Sequence, residues 1–123
     1  MPAPIVFFDI VGSNLAEQRT FYATVFGWDI APDGRFSVET SSPLPATLRV
    51  EAAPGPLGER VIYLGVDDIT AMLAKIAANG GGVVFPRMVV PGVVILALFT
   101  DPAGNRMGLV ELAGGKPIVP TAP

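Results

Sequence analysis

The chain contains neither cysteine nor histidine. The absence of cysteine excludes disulfides, thiolate metal sites and a cysteine nucleophile. The absence of histidine removes the commonest neutral metal ligand and excludes any histidine-dependent catalytic triad. A general acid or base must therefore be a carboxylate, a tyrosine or a lysine, and an all-carboxylate pocket would suit only hard cations such as calcium or magnesium.

Charged residues are also scarce, at 15% of 123 residues with a net charge of −3 and no basic cluster. Phosphate backbones are bound by clustered basic side chains, so nucleic acid is not an expected partner. The glycine run at 80–82 is not followed by the Lys-Ser or Lys-Thr pair of a phosphate-binding loop. Dinucleotide-binding and serine-elbow motifs are missing too, which excludes the enzyme classes that depend on them.

Long apolar runs are missing as well. The most apolar segment, residues 88–100, is shorter than the roughly 20 residues that cross a bilayer, and Pro91 and Gly92 interrupt it. The segment MPAPIVFFDI carries neither the positive charge nor the cleavage pattern of a secretory signal, so we expect a cytoplasmic protein without membrane contact. Half of the residues are apolar, which predicts one domain with its own core and favours a homodimer with an apolar interface.

The elements that the sequence does predict occur twice in the same order. Each copy begins with a strand, continues with a helix capped by Asn or Asp and ended by Gly, and closes with three strands. The first copy has a cap at Ser13 or Asn14 with Glu17 in a capping box, and the second has a cap at Asp67 or Asp68. Predicted strands lie at 5–11, 28–30, 36–39 and 46–52, and at 60–66, 83–85, 93–100 and 106–112. One predicted helix runs from the cap at Ser13 or Asn14 to its stop at Gly27, and the other lies at 69–78.

This repeat predicts an α+β fold in which two βαβββ modules form a curved mixed sheet around a cleft. The modules cover about residues 4–52 and 60–112, joined by a linker at 53–59, so residues 1–112 form a single domain. Residues 113–123 are rich in glycine and proline, which predicts a flexible C-terminal tail.

Three segments carry a resemblance to a known family: FYATVFGW at 21–28, VDDITAMLAKIAANGG at 66–81 and PGVVILALFTDPAGNRMGLVE at 91–111. They resemble the vicinal oxygen chelate superfamily, which includes glyoxalase I, extradiol dioxygenases and bleomycin resistance proteins. The matching residues are helix ends and turns rather than catalytic groups. The resemblance therefore implies the two-module fold and says little about activity.

Metal-dependent members of the superfamily hold a divalent ion with His and Glu or Gln side chains from the first and last strands of each module. The resemblance places these positions at Phe7, Leu48, Val61 and Gly108, none of which offers a donor atom. No metal and no cofactor are therefore expected. A glycine inside a strand either marks a vacated ligand position or allows close packing, and for Gly108 both readings can hold.

Strand alternation sorts the remaining candidates. If Phe7 and Val61 face the cleft, Asp9 and Tyr63 do so as well, which makes Asp9 the candidate catalytic carboxylate; alternatively Asp9 faces solvent or binds a backbone amide. Trp28 and Phe36 either stack on a flat ligand or pack in the core. The predicted ligand-binding set is Phe7, Asp9, Trp28, Phe36, Leu48, Val61, Tyr63 and Gly108.

Other charged residues have two interpretations. Arg49, Glu51 and Arg106 either supply polar groups at the rim of the cleft or are exposed strand residues that keep the edges soluble. Arg87 is expected on a loop, where it either binds a ligand or is solvated.

These observations predict a metal-independent small-molecule binding protein of the glyoxalase and bleomycin resistance type that sequesters a small hydrophobic or aromatic ligand. The alternative is a glyoxalase-related lyase or isomerase that uses Asp9 without the usual metal site. A third hypothesis is a structural or partner-binding module.

Overall fold

The computed structural model describes residue 5 and residues 7–49 and 59–122. Within these residues the chain forms two helices and five strands, which confirms the α+β class. No helix in this part of the chain is both long and apolar enough to cross a membrane. The elements are α1 Leu15–Phe26, β1 Tyr63–Val66, α2 Ile69–Ala78, β2 Gly82–Val90, β3 Val94–Thr100, β4 Arg106–Ala113 and β5 Lys116–Pro117.

The sheet is built by the second predicted module. Its strand order is β1-β4-β3-β2, with β1 parallel to β4 and the other neighbours antiparallel. The register pairs Gly108 of β4 with Tyr63 of β1 on one side and with Leu98 of β3 on the other. Strand, helix and three strands thus follow each other as predicted for residues 60–112.

Both helices begin at the predicted signals, and α1 ends at the predicted Gly27, whereas α2 has Asn79 as its C-cap, one residue before the predicted glycine run. Asn14 Oδ1 accepts a hydrogen bond of 2.9 Å from the Glu17 amide, and Asp68 Oδ1 accepts one of 3.0 Å from the Ala71 amide. These contacts satisfy amides of the first turn that have no partner within the helix. Gly27 ends α1 with φ of 70°, a left-handed conformation that glycine adopts without a steric penalty. The predicted cap pair is therefore confirmed at Asn14 and Asp68.

The helices pack on one face of the sheet. Ile69 and Ile76 of α2, Phe99 of β3 and Leu109 of β4 are fully buried, and α1 contributes Phe21 to the same core. Side chains alternate along a strand, so the residues between these point to the other face. We call this other side the open face; its members are Tyr63 of β1, Leu96 and Leu98 of β3, and Gly108 and Val110 of β4.

The first half of the chain departs from the prediction. Among the described residues, the segments predicted as strands at 5–11, 28–30 and 36–39 are in no strand, and the fourth, at 46–52, is described only to residue 49. These predictions are corrected because strand formation needs a hydrogen-bonded neighbour, which the local pattern does not supply. The predicted turn at 32–35 is present, with Gly34 N donating to Ala31 O over 2.8 Å. The segment 50–58, which holds most of the predicted linker, lies outside the described residues.

The C-terminal segment, predicted to be a flexible tail, begins with a hairpin. β5 pairs with the end of β4, so that Leu112 lies opposite Pro117. The Ile118 amide donates to Glu111 O over 3.0 Å, and the Gly92 amide donates to Pro120 O over 2.8 Å. Part of the predicted tail is therefore hydrogen-bonded to the sheet.

Candidate functional site

The centre of the open face is occupied by an aromatic ring lying on a glycine. Tyr63 and Gly108 are paired residues of β1 and β4, and a Cβ atom built at Gly108 would meet the Tyr63 ring, with Cγ only 2.9 Å away. Real Cβ atoms do not approach a neighbour so closely, so no side chain fits at position 108 while the ring keeps this position. Gly108 therefore allows close packing, which is one of the two readings of this residue. Tyr63 remains 45% exposed, so its ring forms a solvent-accessible apolar surface, which we call the Tyr63 floor.

The structure brings together three members of the predicted ligand-binding set. Tyr63 is paired with Gly108, and the Gly108 amide donates to Ile62 O over 2.9 Å; Val61 is the residue before Ile62 and precedes β1. In metal-dependent members of the superfamily the positions of Val61 and Gly108 hold metal ligands, but valine and glycine have no donor atom, and the Tyr63 ring fills the space above Gly108. These residues do not fit a divalent ion. Among the described residues, no three Asp or Glu side chains converge as a metal site either.

Three other predicted members do not join this group. Phe7 and Leu48 are 79% and 104% exposed, and Asp9 is also exposed. The sequence left two alternatives for Asp9, a carboxylate facing the cleft or a residue facing solvent, and the described structure places Asp9 in solvent. All three lie in first-half segments that are not strands in the described structure, so strand alternation does not orient them.

Trp28 and Phe36 belong to an aromatic stack beside α1. The Trp28 ring stacks on Tyr22 at 5.0 Å with an interplanar angle of 8°, and Phe36 also stacks on Trp28, with ring centroids 5.0 Å apart. Both residues are partly buried and pack against the core. The structure therefore places them in the packing arrangement that was the alternative to ligand binding.

A cluster of charges lies on the open face beside this floor. The Arg106 Nε atom is 3.1 Å from Glu59 Oε2, and the Arg49 Nη2 atom is 3.6 Å from Glu59 Oε1. Arg106 precedes Gly108 by two residues on β4, so alternation directs both to the open face. The ion pairs then place Glu59 beside Arg106 and Arg49 beside Glu59. Sequence reasoning proposed Arg49 and Arg106 for the rim but assigned Glu59 to the linker. Residues 59–62 are in no strand, so strand alternation could not have identified Glu59. Glu51 lies outside the described residues.

A second ion pair lies on the opposite, helix-covered side. Arg87, predicted on a loop, lies in β2 and donates to both carboxylate oxygens of Glu111 over 2.8 to 3.2 Å. Glu111 Oε2 also accepts from the Ile69 amide at the start of α2 over 3.1 Å. The Arg87 guanidinium holds the pKa of Glu111 below its ordinary value, and the amide acts in the same direction. This pair braces β2, β4 and α2, so Arg87 is not available to a ligand on the open face.

Asp101 connects the first half of the chain to the sheet. Its carboxylate is buried and accepts hydrogen bonds of 2.8 to 2.9 Å from three side chains: the Gln18 carboxamide, the Tyr22 hydroxyl and the Asn105 carboxamide. Asn105 also donates to Val11 O over 2.7 Å. Burial, together with the Asp101 charge, raises the pKa of Tyr22, which therefore remains a neutral donor. The DPAGN turn was predicted from local turn chemistry, whereas its contacts with α1 were not.

A groove of about 580 Å³ lies at the free edge of β1, away from the Tyr63 floor. It is shallow and open to solvent, and its charged residues Asp67, Asp68 and Lys75 are all exposed. Asp68 is already used as the cap of α2. The lining residues are Val25, Phe26, Gly65, Val66, Asp67, Asp68, Ala71, Met72, Lys75 and Leu112.

The fold and the site define a class of protein: a βαβββ module whose sheet is covered by helices on one face and presents an apolar floor on the other. A family model, the Glyoxalase/Bleomycin resistance protein/Dioxygenase superfamily, matches residues 5–109. The chain belongs to this superfamily, which confirms the resemblance that the motifs indicated.

The curated relatives share about a quarter of their aligned residues with this chain. The candidate glyoxylase CFP32 of Mycobacterium tuberculosis is 27% identical over 111 residues, covering 82% of this chain and 42% of CFP32. The anthracycline biosynthesis protein DnrV of Streptomyces peucetius is 25% identical over 135 residues, covering 89% of this chain and 49% of DnrV. This chain thus spans less than half the length of the curated relatives it matches.

Solved structures agree on the fold. The hypothetical protein SA1046 from S. aureus superposes with a TM-score of 0.63 at 19% identity, covering 91% of this chain and 96% of that one. A glyoxalase-related enzyme from Fulvimarina pelagi superposes with a TM-score of 0.56 at 17% identity, covering 91% and 93%. At these identities the likeness extends to the fold alone.

Proposed function

We propose that this protein binds a small hydrophobic or aromatic molecule on the open face of its sheet without a metal ion. The observation that carries the proposal is the Tyr63 ring lying on Gly108, at the position where metal-dependent members of the superfamily hold a metal ligand. A flat apolar floor with an exposed ring offers stacking and desolvation to an aromatic compound. Sequestration of this kind needs neither a cofactor nor a reactive group.

A titration with 2-naphthol as the probe tests this proposal. We expect binding to the wild-type chain and a roughly tenfold weaker affinity for Tyr63→Ala, because the truncation removes the stacking surface. Leu15→Ala is the matched control, since Leu15 is an exposed apolar residue of α1, on the other side of the molecule. Equal affinity of 2-naphthol for the wild type and Tyr63→Ala would show that the binding site does not include the Tyr63 ring.

Removal and addition of metals test the second half of the proposal. We expect the affinity for 2-naphthol to be unchanged by a chelator, and addition of zinc, nickel or manganese to leave it unchanged as well. Elemental analysis of the purified protein is the direct check. Stoichiometric zinc, nickel, manganese or iron that the chelator removes together with binding would contradict metal independence.

We further propose that two copies of the chain close the open face. The chain matches less than half of CFP32 and DnrV, so a homodimer would supply a comparable number of residues. Light scattering during gel filtration is expected to give twice the 12.8 kDa mass of one chain. A single-chain mass at micromolar concentration contradicts this.

The cytoplasmic location expected from the sequence remains a prediction, which fractionation of the native cells would test.

The rival proposal is a lyase or isomerase of the glyoxalase type, which the name of CFP32 favours. Asp9 would be its carboxylate base, although it is exposed in the described structure. Conversion of a bound compound by the wild type, with turnover lost and affinity retained in Asp9→Asn, would establish the enzyme over the binding protein.

A further inference from the structure

On the open face, two positively charged side chains pair with one negatively charged side chain. Two guanidinium groups, from Arg49 and Arg106, share the single carboxylate of Glu59. The cluster therefore carries one net positive charge, in a chain whose overall charge is −3. The Glu59 side chain is only 17% exposed, so its carboxylate is held between the two arginines rather than free in solvent.

Arg106 is incompletely satisfied by this partner. Its Nε atom is buried and forms no hydrogen bond within the structure, because the 3.1 Å contact with Glu59 is an ion pair with unfavourable hydrogen-bond geometry. Arg87 offers a comparison within the same sheet, since it makes three hydrogen bonds with Glu111. A guanidinium presents a planar fork of donors that matches a carboxylate, and Arg106 has not used this geometry fully.

The position of Arg106 relates the charge to the apolar floor. It lies two residues before Gly108 on β4 and on the same face, and Thr100 and Gly108 are its neighbours across and along the sheet. The Arg106 side chain is 35% exposed, so a ligand on the open face reaches it. A molecule that stacks on Tyr63 would thus have its polar end beside Arg106.

We propose that the ligand of this site is a carboxylic acid with an aromatic or hydrophobic body, whose carboxylate binds Arg106, with Arg49 adding to the positive charge. The proposal rests on the proposed function, because it names the class of molecule that the Tyr63 floor accepts. Glu59 acts as a positioning residue that holds both arginines and competes with the ligand for them. The charge then selects acids over neutral compounds of the same shape.

The experiment compares 2-naphthoate with its neutral isostere 2-naphthamide by calorimetry on the full chain. The wild type is expected to bind the acid about tenfold more tightly than the amide, as charge-assisted hydrogen bonds contribute. In Arg106→Gln the preference for the acid is expected to disappear, with acid and amide binding about equally. In the wild type the preference is expected to decrease with added salt. Arg35→Gln is the matched control, because Arg35 lies on the exposed turn of the first half, and it keeps the wild-type preference.

Glu59→Gln provides a second readout that does not depend on the stability of the arginine variant. Removal of the competing carboxylate is expected to strengthen 2-naphthoate binding severalfold and to leave 2-naphthamide unchanged. Equal affinities for acid and amide in the wild type, or a preference that survives Arg106→Gln, overturn the inference while the binding function stands. If neither probe binds at millimolar concentration, the proposed function fails and this inference fails with it.

Discussion

The two halves of the chain carry the same helix signals but form different structures. α1 and α2 begin at equivalent caps, Asn14 and Asp68, and both pack on the same sheet. All of the strands found in the described residues come from the second half, whereas the described residues of the first half outside α1 form no strand. The first half is held to the sheet by side chains instead, through the hydrogen bonds of Asp101 and through Phe21 and Phe26, which pack on Phe99.

This difference separates local from non-local determinants. A helix cap acts within three residues, so its sequence signal suffices wherever the chain runs. A strand requires a neighbour at the correct register, and the pattern of apolar residues does not identify that neighbour. Residues 60–113 pair with one another because β4 has both β1 and β3 beside it. The comparison predicts which substitutions separate the halves and which weaken the sheet alone.

The largest effect is expected at Asp101, where the two halves meet. In Asp101→Asn an amide group would face the donors of Gln18, Tyr22 and Asn105, and buried donors without an acceptor are costly. We expect a loss of about 3 kcal/mol in the free energy of unfolding by urea. Limited proteolysis should then cut the first half before the sheet.

Asp33→Asn is the control for this substitution. Asp33 is exposed and accepts a hydrogen bond from the Arg35 amide, which asparagine also accepts. Its effect should remain within about 0.5 kcal/mol. If both variants unfold at the same urea concentration as the wild type, Asp101 does not join the halves.

A smaller effect is expected at Gly108, within the sheet of the second half. Gly108→Ala places a methyl group against the Tyr63 ring, and overpacking of this kind costs about 1 to 3 kcal/mol. The measurement is a double-mutant cycle of unfolding free energies with Tyr63→Ala. In the background of Tyr63→Ala the cost of the extra methyl group should largely disappear, whereas additive effects would show that the ring is not what requires glycine.

The pH dependence of the second half should come partly from Glu111. The Arg87 guanidinium keeps the pKa of Glu111 in the folded protein below its ordinary value of about 4.3. A lowered pKa stabilises the fold above the ordinary value, and this stabilisation is lost as the pH falls through the folded pKa. The difference in unfolding free energy between the wild type and Glu111→Gln should therefore shrink between pH 6 and pH 3. A difference that stays constant over this range would contradict the assignment.

Much of the fold was predictable because its signals are local or repeated. The caps, the Gly27 stop, the DPAGN turn and the second-half strands all followed from residue type and spacing. The site was predictable only in part. The resemblance supplied Val61 and Gly108, and alternation from Val61 supplied Tyr63, which the structure pairs with Gly108.

The remaining site residues depended on packing that the sequence does not encode locally. The resemblance supplied Phe7 and Leu48, and alternation from Phe7 supplied Asp9. All three lie on strands predicted for the first half, and the described structure leaves them exposed. The ionic cluster of Glu59 with Arg49 and Arg106 joins residues from both halves. Its position follows from where the first half lies against the sheet, which no spacing rule provides.

The smallest effect is expected at the helix caps, where the two halves are most alike. Asn14→Ala and Asp68→Ala each remove an acceptor from a first-turn amide, so each should lower the free energy of unfolding by about 1 kcal/mol. Asp68 also places a negative charge at the positive end of the helix dipole, which adds a few tenths of a kcal/mol. Asn14→Asp should therefore stabilise the chain slightly at pH 7, and Asp68→Asn should destabilise it by a similar amount. If thermal unfolding showed instead that Asn14→Asp destabilises the chain and Asp68→Asn stabilises it, residues near the caps rather than the cap charge would account for the difference between the two helices.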